Sequence, residues 1–473
     1  MLGKKKRAQP TLFIPGSIED FIPDDHILKR VDRVLDLGWL RGEAASLYCE
    51  NNGRPSIDPE AAVRLMLAGF FHGIVHDRKL MREAQVNLAM RWFAGYALDE
   101  ALPDHSSLTR IRQRWGQEMF RRIFARTVAD CAAAGLVSGE TVHVDATLIR
   151  ADVSWESLTE QWAETTIREN SEGPANGRDD DAAANNGGGS KISRTKKQKR
   201  RSTTDPDATM VTSQHTKPLE PSYKQHTSVD DRAGVIVDVD VTTGEASEGE
   251  LLLETVERIE KTLAKKIDAV TADAGYAHPE NYRKLEERKT KAVIPPQKSR
   301  RIGKTFPMSR FKYDETHNYV KCPAGKKLKK NSRVRNGYAF RGEAKFCGVC
   351  PLRKACVPPS VKVRTILIVD GYAALTRARR RHGRLDEAAR EQYRRHRWRV
   401  EGAHGEAKTQ HGLRRAARRG IAEVAIQVFL TAAAINLKRL AGRLLRVIAL
   451  LNAQTGAPSA FSPPICANIK TGR

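Results

Sequence analysis

The stretch Thr141–Ile149, TVHVDATLI, consists mainly of β-branched and apolar residues and predicts a buried strand. The region before it has helical periodicity, so the change of period at Thr141 marks the start of a different layer. Further along the chain the pattern predicts a hairpin, a helix, a strand, a helix and a short strand: Tyr223–Asp230 with Gly234–Val241, Glu248–Leu263, Ile267–Asp273, His278–Arg288 and Ala292–Ile294. Strands that alternate with helices in this way predict an α/β fold.

Three carboxylates stand in or directly after these elements. Asp145 lies within the first strand, Asp273 ends a later strand, and Glu401 lies in a predicted helix rich in arginine. A single aspartate in a strand is most often a surface or capping residue, so neither aspartate is informative alone. Three carboxylates without another obvious nucleophile fit two-metal phosphoryl transfer, in which the two cations lie about 3.5–4 Å apart. We therefore expect these three acids to be catalytic and to bind Mg²⁺, which prefers oxygen ligands.

The spacing around Glu401 adds to this expectation. Arg397 precedes Glu401 by one helical turn and Lys408 follows it by two turns, so the three side chains share a helix face. Cations on both sides of an acid can hold the phosphates that flank the reacting one, and we expect both to bind DNA. An ordinary solvated basic helix is the alternative interpretation.

The first part of the chain has a helical pattern. Residues 1–23 predict a flexible arm, and residues 24–136 predict a helical N-terminal domain. The turn at 103–107 offers Ser106 or Ser107 as the N-cap of a basic helix. A small helical domain with one basic helix is typical of helix-turn-helix DNA binding, so we expect a DNA-binding role for Arg110, Arg112 and Arg114. A helical packing domain whose basic residues are merely solvated is equally compatible.

Two segments interrupt the α/β pattern. Residues 169–207 are rich first in Gly and Asn and then in Lys and Arg, which predicts a disordered basic insertion. Residues 297–362 predict a second, loop-like and basic insertion that contains four cysteines: Cys322, Cys347, Cys350 and Cys356. Four thiolates can form a tetrahedral structural Zn²⁺ site, which a short segment without its own core would need. Reduced thiols or a redox-labile cluster remain the alternative.

The end of the chain is predicted to be helical from about Leu385, with breaks near Gly412 and Gly420. Residues 453–473 predict a tail. The most apolar stretch, residues 421–451, carries too many polar side chains for a membrane span, and no apolar segment follows the basic N-terminus as in a secretory signal. Seven cysteines in 473 residues do not form a disulfide scaffold, so we expect a reducing, cytoplasmic setting.

The charge balance is the clearest compositional signal. Lys and Arg number 82 against 56 Asp and Glu, which leaves a formal net charge of +26. Such a field attracts phosphate, and nucleic acid is the better partner than an anionic membrane because the membrane signals are missing. The sequence contains no phosphate-binding loop of the G-x4-G-K-[ST] type, so we expect no nucleotide hydrolysis.

These motifs resemble those of bacterial insertion-sequence transposases of the DDE type. The resemblance covers nearly the whole chain and is carried by stretches such as GRPSIDPEAAVRLMLAGFFHG (53–73), LPDHSSLTRIRQRW (102–115), HVDATLIRADVS (143–154), TADAGY (271–276) and RWRVEGAHGEAK (397–408). It implies a separate all-α N-terminal domain, a ribonuclease-H-like DDE catalytic domain at 137–452 and a small Cys-rich insertion. Asp145, Asp273 and Glu401 would be the DDE acids, with Mg²⁺ or Mn²⁺ as cofactor.

The family signature around the third acid is Tyr-x2-Arg-x3-Glu-x6-Lys. The chain matches its Arg397, Glu401 and Lys408, but position 394 is Arg and Tyr393 lies one residue out of register. The resemblance implies DNA partners, namely element ends and target DNA, and a homodimer or higher oligomer on DNA at the nucleoid. A metal-dependent DNA nuclease without strand transfer and an inactive DNA-binding relic remain open as alternatives.

Overall fold

The computed structural model describes residues 16–49, 56–154, 158–160, 200–212, 218–297 and 305–455. The chain divides into two compact units. A helical unit contains Met1–Ala134, Glu406–Leu413 and Phe429–Arg473, and a sheet unit contains Gly135–Gly405 and Arg414–Val428. The chain is therefore a mixed α/β protein with a helical N-terminal region, as the sequence predicts.

The helical unit begins with a 3-10 turn and six helices. These helices are α1 (Ile27–Asp32), α2 (Leu40–Ala45), α3 (Pro59–Phe71), α4 (Asp77–Val86), α5 (Leu88–Ala94) and α6 (His105–Ala133). Pro59 opens α3, where a missing N–H is harmless, and the Asp58 carboxylate caps the same end by accepting from two backbone amides. Their apolar faces form a common core with residues such as Leu28, Leu65, Met66, Phe93 and Phe120.

Helix α6 differs from the prediction at its start and in its middle. Asp104, not Ser106 or Ser107, is the N-cap, and its carboxylate accepts a 2.9 Å hydrogen bond from the Ser106 amide. Aspartate caps as well as serine, and here it stands one residue before the first helical turn. Gly116 interrupts the helix with φ 65° and ψ 175°, a backbone conformation that favours glycine.

A buried ion pair joins α4 to α6. The Arg112 guanidinium donates to both carboxylate oxygens of Asp77, at 2.7 and 2.9 Å, and both side chains are more than nine-tenths buried. Thr109 donates a further hydrogen bond to Asp77 at 3.1 Å. A fork-shaped bidentate pair of this kind fixes the two helices in one geometry.

The sheet unit is built around a central sheet whose strands are β1 (Thr141–Arg150), β4 (Thr209–Val211), β5 (Glu220–Asp230), β6 (Ile236–Thr243), β7 (Ala269–Ala272) and β8 (Lys291–Val293). The main path runs β6-β5-β1-β7-β8, and β4 pairs with the first residues of β5. Strand β1 is antiparallel to β5 and parallel to β7, and β7 is parallel to β8. The predicted hairpin, the two predicted strands and their connecting helices are thus confirmed.

Two helices cover this sheet between its strands. They are α7 (Leu252–Leu263) and α8 (Pro279–Glu287), and each buries one apolar face. Leu252, Val256 and Ile259 of α7 are fully buried, at the one-turn spacing that the sequence shows. Two short strands, β2 (Leu158–Glu160) and β3 (Arg200–Ser202), pair separately.

The segment with the cysteines is more ordered than the sequence predicts. It forms a five-stranded antiparallel sheet with strands β9 (Lys312–Asp314), β10 (Tyr319–Lys321), β11 (Lys327–Val334), β12 (Gly337–Arg341) and β13 (Thr365–Val369), and two short helices, α9 (Ala344–Gly348) and α10 (Arg353–Cys356). The prediction of a loop-like segment without a core is wrong here, because eight buried side chains, Phe340 among them, form a core of their own.

Three helices end the chain. They are α11 (Tyr372–His382), α12 (Glu387–Gln410) and α13 (Ile421–Thr455). Gly412 and Gly420 have φ values of +70° and +86°, so the predicted breaks between α12 and α13 fall at left-handed residues. Residues Ile421–Leu445 are long and apolar enough to cross a membrane by composition alone, but 78% of the most apolar window is buried inside the protein.

Part of the predicted disordered insertion belongs to the ordered sheet unit. Residues 200–207 of the segment 169–207 include β3 and the buried Asp205, whose carboxylate accepts a 2.5 Å hydrogen bond from the Tyr223 hydroxyl. The basic composition of this segment does not indicate the contact, because the partner, Tyr223, is distant in sequence from Asp205. The remainder of that prediction at 169–199, most of the arm at 1–23 and the tail from 456 lie outside the described residues.

We predict that Arg112→Ala destabilises the protein by about 3–5 kcal/mol, because it leaves a buried Asp77 carboxylate without its guanidinium partner. Urea unfolding of the full chain, followed by circular dichroism, measures the change. Arg110→Ala is the matched control on the exposed side of the same helix, and we expect it to stay within about 0.5 kcal/mol of the parent. Equal losses in the two variants would contradict the structural importance of the ion pair.

Candidate active site

Asp145 lies near the middle of β1, opposite Thr227 of β5. Its side chain is 24% exposed, and one carboxylate oxygen lies 3.9 Å from the His404 ring. Burial, together with the nearby carboxylates of Asp273, Glu248 and Glu401, raises the pKa of Asp145 to about 7, against a backbone hydrogen bond from Ala146. Asp145 is therefore an acid whose charge the protein itself does not neutralise.

Asp273 follows β7 directly and faces solvent more than Asp145 does. Its carboxylate accepts a 2.8 Å hydrogen bond from the Gly275 amide and thereby caps the 3-10 turn Ala274–Tyr276. The cap fixes the direction in which the carboxylate leaves the strand. Because β1 and β7 are parallel neighbours, this strand end lies beside Asp145.

Glu401 lies on α12 and is 61% exposed. Arg397, one turn earlier on the same helix face, donates to both of its oxygens at 3.1 and 3.3 Å. The structure thus brings the other two predicted acids within electrostatic reach of Asp145. Glu401 is the one among them that is held by a cation.

A chain of buried hydrogen bonds fixes α12 against the sheet. His143 Nδ1 on β1 lies 2.6 Å from the Thr271 hydroxyl on β7, and His396 Nδ1 on α12 lies 2.9 Å from the same oxygen. His143 Nε2 lies 3.1 Å from an Asp231 oxygen. One consistent assignment has His143 donate to Asp231, Thr271 donate to His143, and His396 donate to Thr271.

Both histidines in this chain are kept neutral by their surroundings. Burial and, to a smaller extent, the neighbouring His143 lower the pKa of His396 to about 4. Burial also lowers the pKa of His143, although Asp231 opposes the shift. Both ring nitrogens of His143 are thus engaged within the sheet unit, by Thr271 and Asp231.

Three further groups near the acids were not predicted as site residues. Glu248 begins a 3-10 turn after β6, and Tyr276 is a buried phenol in the turn that Asp273 caps. Tyr393 stacks on His396 with ring centroids 5.8 Å apart, and burial followed by the charges of Asp273 and Asp145 raises its pKa. The phenol of Tyr393 thus lies near the acids although it is out of register with the family signature.

The predicted DNA-binding residues occupy different environments. Arg110 and Arg114 are exposed on α6, and the Arg114 guanidinium lies over the Tyr48 ring at 4.6 Å from its centroid. Arg112 is only 2% exposed and is bound to Asp77, so it is not available to a phosphate; the prediction overlooked that an arginine inside a helical domain can be a packing residue. Arg397 is 81% exposed, and Lys408 lies in the last turn of α12.

Four cysteines meet in the small sheet. Cys322, Cys347, Cys350 and Cys356 line one cavity of about 40 Å³, and all four are free thiols. Burial raises the pKa of Cys356, which the other three thiols raise further and Arg364 lowers. Thiols gathered in an apolar cavity are the donor set that Zn²⁺ prefers.

The donors at the acidic cluster suit a different cation. Carboxylate oxygens are hard ligands that fit Mg²⁺ or Mn²⁺, and the raised pKa of Asp145 shows that the charge of this carboxylate lacks a neutralising partner. Within the described parts of the chain, no three His, Cys, Asp or Glu side chains are already arranged around a common metal position. Cation binding by the three acids therefore requires side-chain movement, for which the exposed Glu401 has the most freedom.

Comparison with known families identifies the class of protein. Residues 16–114 match a family described as a transposase domain (DUF772), and residues 321–441 match a family described as a transposase DDE domain. The chain is therefore a transposase, an enzyme that acts in DNA transposition. It belongs to the DDE-type transposases, which confirms the family that its motifs resemble.

One solved structure similar to the chain is the cryo-EM structure of the piggyBac transposase synaptic complex with hairpin DNA. The two chains share 10% identity with a TM-score of 0.30, and the alignment covers 92% of this chain and 80% of that one. No curated protein sequence matches the chain.

We predict that Asp145→Asn stabilises the cation-free protein at neutral pH. The folded pKa of about 7 exceeds the ordinary value of 3.8, so ionisation of Asp145 costs stability progressively as pH rises from about 4 to about 7. The asparagine variant should be more stable than the parent at pH 8 by up to about 4 kcal/mol, and equally stable near pH 4.

Thermal unfolding in EDTA across this pH range measures the difference. Asp240→Asn is a suitable control, because Asp240 lies on β6 beside the Arg258 guanidinium and has a cationic partner. A pH-independent difference between the parent and Asp145→Asn would show that the Asp145 carboxylate titrates normally.

Proposed function

We propose that the protein cleaves DNA at the ends of an insertion sequence and joins the freed 3′ ends to target DNA by two-metal phosphoryl transfer. The observation that carries this proposal is the position of Asp145, a mostly buried carboxylate surrounded by Asp273, Glu248 and Glu401. A protein gains nothing from gathered like charges unless a cation joins them. The exposed arginines around the site are suited to an anionic polymer.

The order of strands supports a ribonuclease-H-like catalytic domain. Three antiparallel strands, β6-β5-β1, continue into two parallel ones, β7 and β8, in one sheet. This places Asp145 on the central strand and Asp273 at the end of its parallel neighbour. We propose the small Cys-rich sheet as an insertion into that domain between β8 and α11.

In this proposal each acid has a distinct task. Asp145 provides the least mobile ligand because its strand is paired on both sides. Asp273 provides a ligand whose direction its cap fixes, and Glu401 completes the set when it turns away from Arg397. When bound, Mg²⁺ or Mn²⁺ supplies activation of the attacking oxygen and stabilisation of the leaving one. Arg397, once released, is free to bind an adjacent phosphate.

DNA contacts outside the site complete the proposal. We propose Arg110 and Arg114 on α6 and Lys408 on α12 as phosphate-binding residues, without Arg112. The domain at 24–136 would bind element ends. Synapsis of two ends would require a dimer or higher oligomer on DNA, in the bacterial cytoplasm at the nucleoid.

Cleavage of DNA that carries the sequences flanking the gene tests this function. With Mg²⁺, the parent protein should nick this DNA at specific positions and then form joined products. Asp145→Asn, Asp273→Asn and Glu401→Gln should each abolish cleavage and leave DNA binding intact, because they remove cation ligands and not phosphate contacts. Glu391→Gln, on the same helix as Glu401, is the matched control and should cleave normally.

The outcomes separate the alternatives. Cleavage without joined products would show a metal-dependent nuclease, and binding without cleavage would show an inactive relic. An unchanged cleavage rate in any one acid variant would remove that residue from the catalytic set.

We also propose that the four cysteines bind a structural Zn²⁺. Their shared cavity in the small sheet supports this, since thiolates at that position need only close around the ion. The protein should purify with about one zinc per chain, and Cys350→Ser should lose it and melt at a lower temperature. Elemental analysis measures the zinc; the exposed Cys49→Ser is the control, and a metal-free parent would refute the site.

A further inference from the structure

Glu248 is a fourth carboxylate near the predicted acids. It lies in the 3-10 turn Glu248–Glu250, between β6 and α7, and its side chain is 25% exposed. Its charge acts on Asp145 together with those of Asp273 and Glu401. No motif in the sequence marks it, because neither its spacing nor its neighbours differ from an ordinary helix start.

The two oxygens of Glu248 have different surroundings. Oε1 lies 3.2 Å from Lys224 Nζ, which also donates to the Ala246 carbonyl at 2.7 Å. Oε2 faces Gly275, where a Cβ atom would collide with it and would lie 3.0 Å from Asp273 Oδ1. The ion pair with Lys224 thus uses one oxygen, while the other lies, like Asp273 Oδ1, next to Gly275.

The turn that carries Glu248 is fastened to the turn that carries Asp273. The Asn281 side-chain amide donates to the Gly249 carbonyl at 2.7 Å and to the Tyr276 carbonyl at 3.0 Å. Asn281 is only 3% exposed. A buried amide that bridges two turns holds their side chains in a fixed relation, which is what a ligand set requires.

A second and independent observation concerns Tyr276. This side chain is 1% exposed, and its hydroxyl has no hydrogen-bond partner among the described residues. The hydroxyl is close enough to Glu248, Asp145 and Asp273 for each of them to raise its pKa. Buried hydroxyls are normally satisfied, so an unsatisfied one near three carboxylates indicates a missing ligand at that place.

We propose, building on the function above, that Glu248 is a fourth oxygen ligand of the divalent-cation site of Asp145, Asp273 and Glu401. In this arrangement the Tyr276 hydroxyl forms a hydrogen bond with the hydration shell of the bound cation. Glu248 adds a fourth carboxylate to this set through Oε2, the oxygen that its ion pair with Lys224 leaves unused. Glycine at 275 is required because it lets Glu248 Oε2 approach Asp273.

Calorimetric titration of the full chain with Mn²⁺, without DNA, tests this assignment independently of activity. Glu248→Gln should weaken Mn²⁺ binding about 10–100-fold, the range found when a residue that holds or orients metal ligands is lost. Glu250→Gln, an exposed acid in the same turn, is the matched control and should bind Mn²⁺ as the parent does. Gly275→Ala should also weaken binding, because it displaces Oε2 without changing any charge.

Tyr276→Phe provides a second measurement that does not depend on removing a charge. In EDTA it should melt at a higher temperature than the parent, since an unsatisfied buried hydroxyl is removed. The increase in melting temperature on addition of saturating Mn²⁺ should be smaller for Tyr276→Phe than for the parent. A lower melting temperature in EDTA would show that the hydroxyl already has a partner and would count against its place in the site.

Asp145→Asn separates this inference from the proposed function. If Asp145→Asn loses Mn²⁺ binding while Glu248→Gln and Gly275→Ala retain it, Glu248 is not a ligand and the three-acid site stands. If Asp145→Asn also binds Mn²⁺ as the parent does, the proposed cation site itself is wrong. Loss in Glu248→Gln and Gly275→Ala, with Glu250→Gln unchanged, supports the fourth ligand.

Discussion

The Thr271 hydroxyl, placed between two buried histidines, is the interaction on which the geometry of the site depends. It joins His143 of β1 to His396 of α12 across β7. His143 and Thr271 are direct partners in the parallel pairing of their strands. Each acid of the proposed catalytic set stands a short distance in sequence from one member of this hydrogen-bonded chain: two residues after His143, two after Thr271 and five after His396. The same three bonds that fix α12 therefore bring together carboxylates from three separate elements.

Repulsion among the carboxylates near Asp145 opposes the arrangement that these hydrogen bonds hold. Burial and three neighbouring carboxylates raise the pKa of Asp145 to about 7, whereas cations are paired with acids elsewhere in the same unit, as Arg258 is with Asp238. The contrast concerns Asp145 itself, because Glu401 and Glu248 beside it are paired with Arg397 and Lys224. The hydrogen-bonded strands and helix hold the carboxylates together, and neutralisation of Asp145 is left to a bound cation.

Sequence patterns predict the elements of the chain better than the contacts between them. Residue alternation predicts β1 and the hairpin, and one-turn spacing predicts α7, because burial imposes those periods directly. The small sheet was missed because its strands are short and lysine-rich, so its core depends on residues such as Phe311 and Ile366 that lie far apart in sequence. The environments of Arg112 and Glu248 cannot be predicted from sequence for the same reason. Arg112 is bound to Asp77 and Glu248 lies against Gly275, and both partners are distant in sequence.

His396 and Asp145 titrate in different ranges of pH. The pKa of His396 is lowered to about 4 and that of His143 is lowered too, so His396 stays neutral throughout the range in which Asp145 titrates. If either histidine gained a proton there, the donor order through the Thr271 hydroxyl would fail, since the Nδ1 atom of His143 must accept. Burial of the histidines thus does more than fill the core. It lets the charge of the acidic cluster change, through protonation or through cation binding, while α12 keeps its position against the sheet.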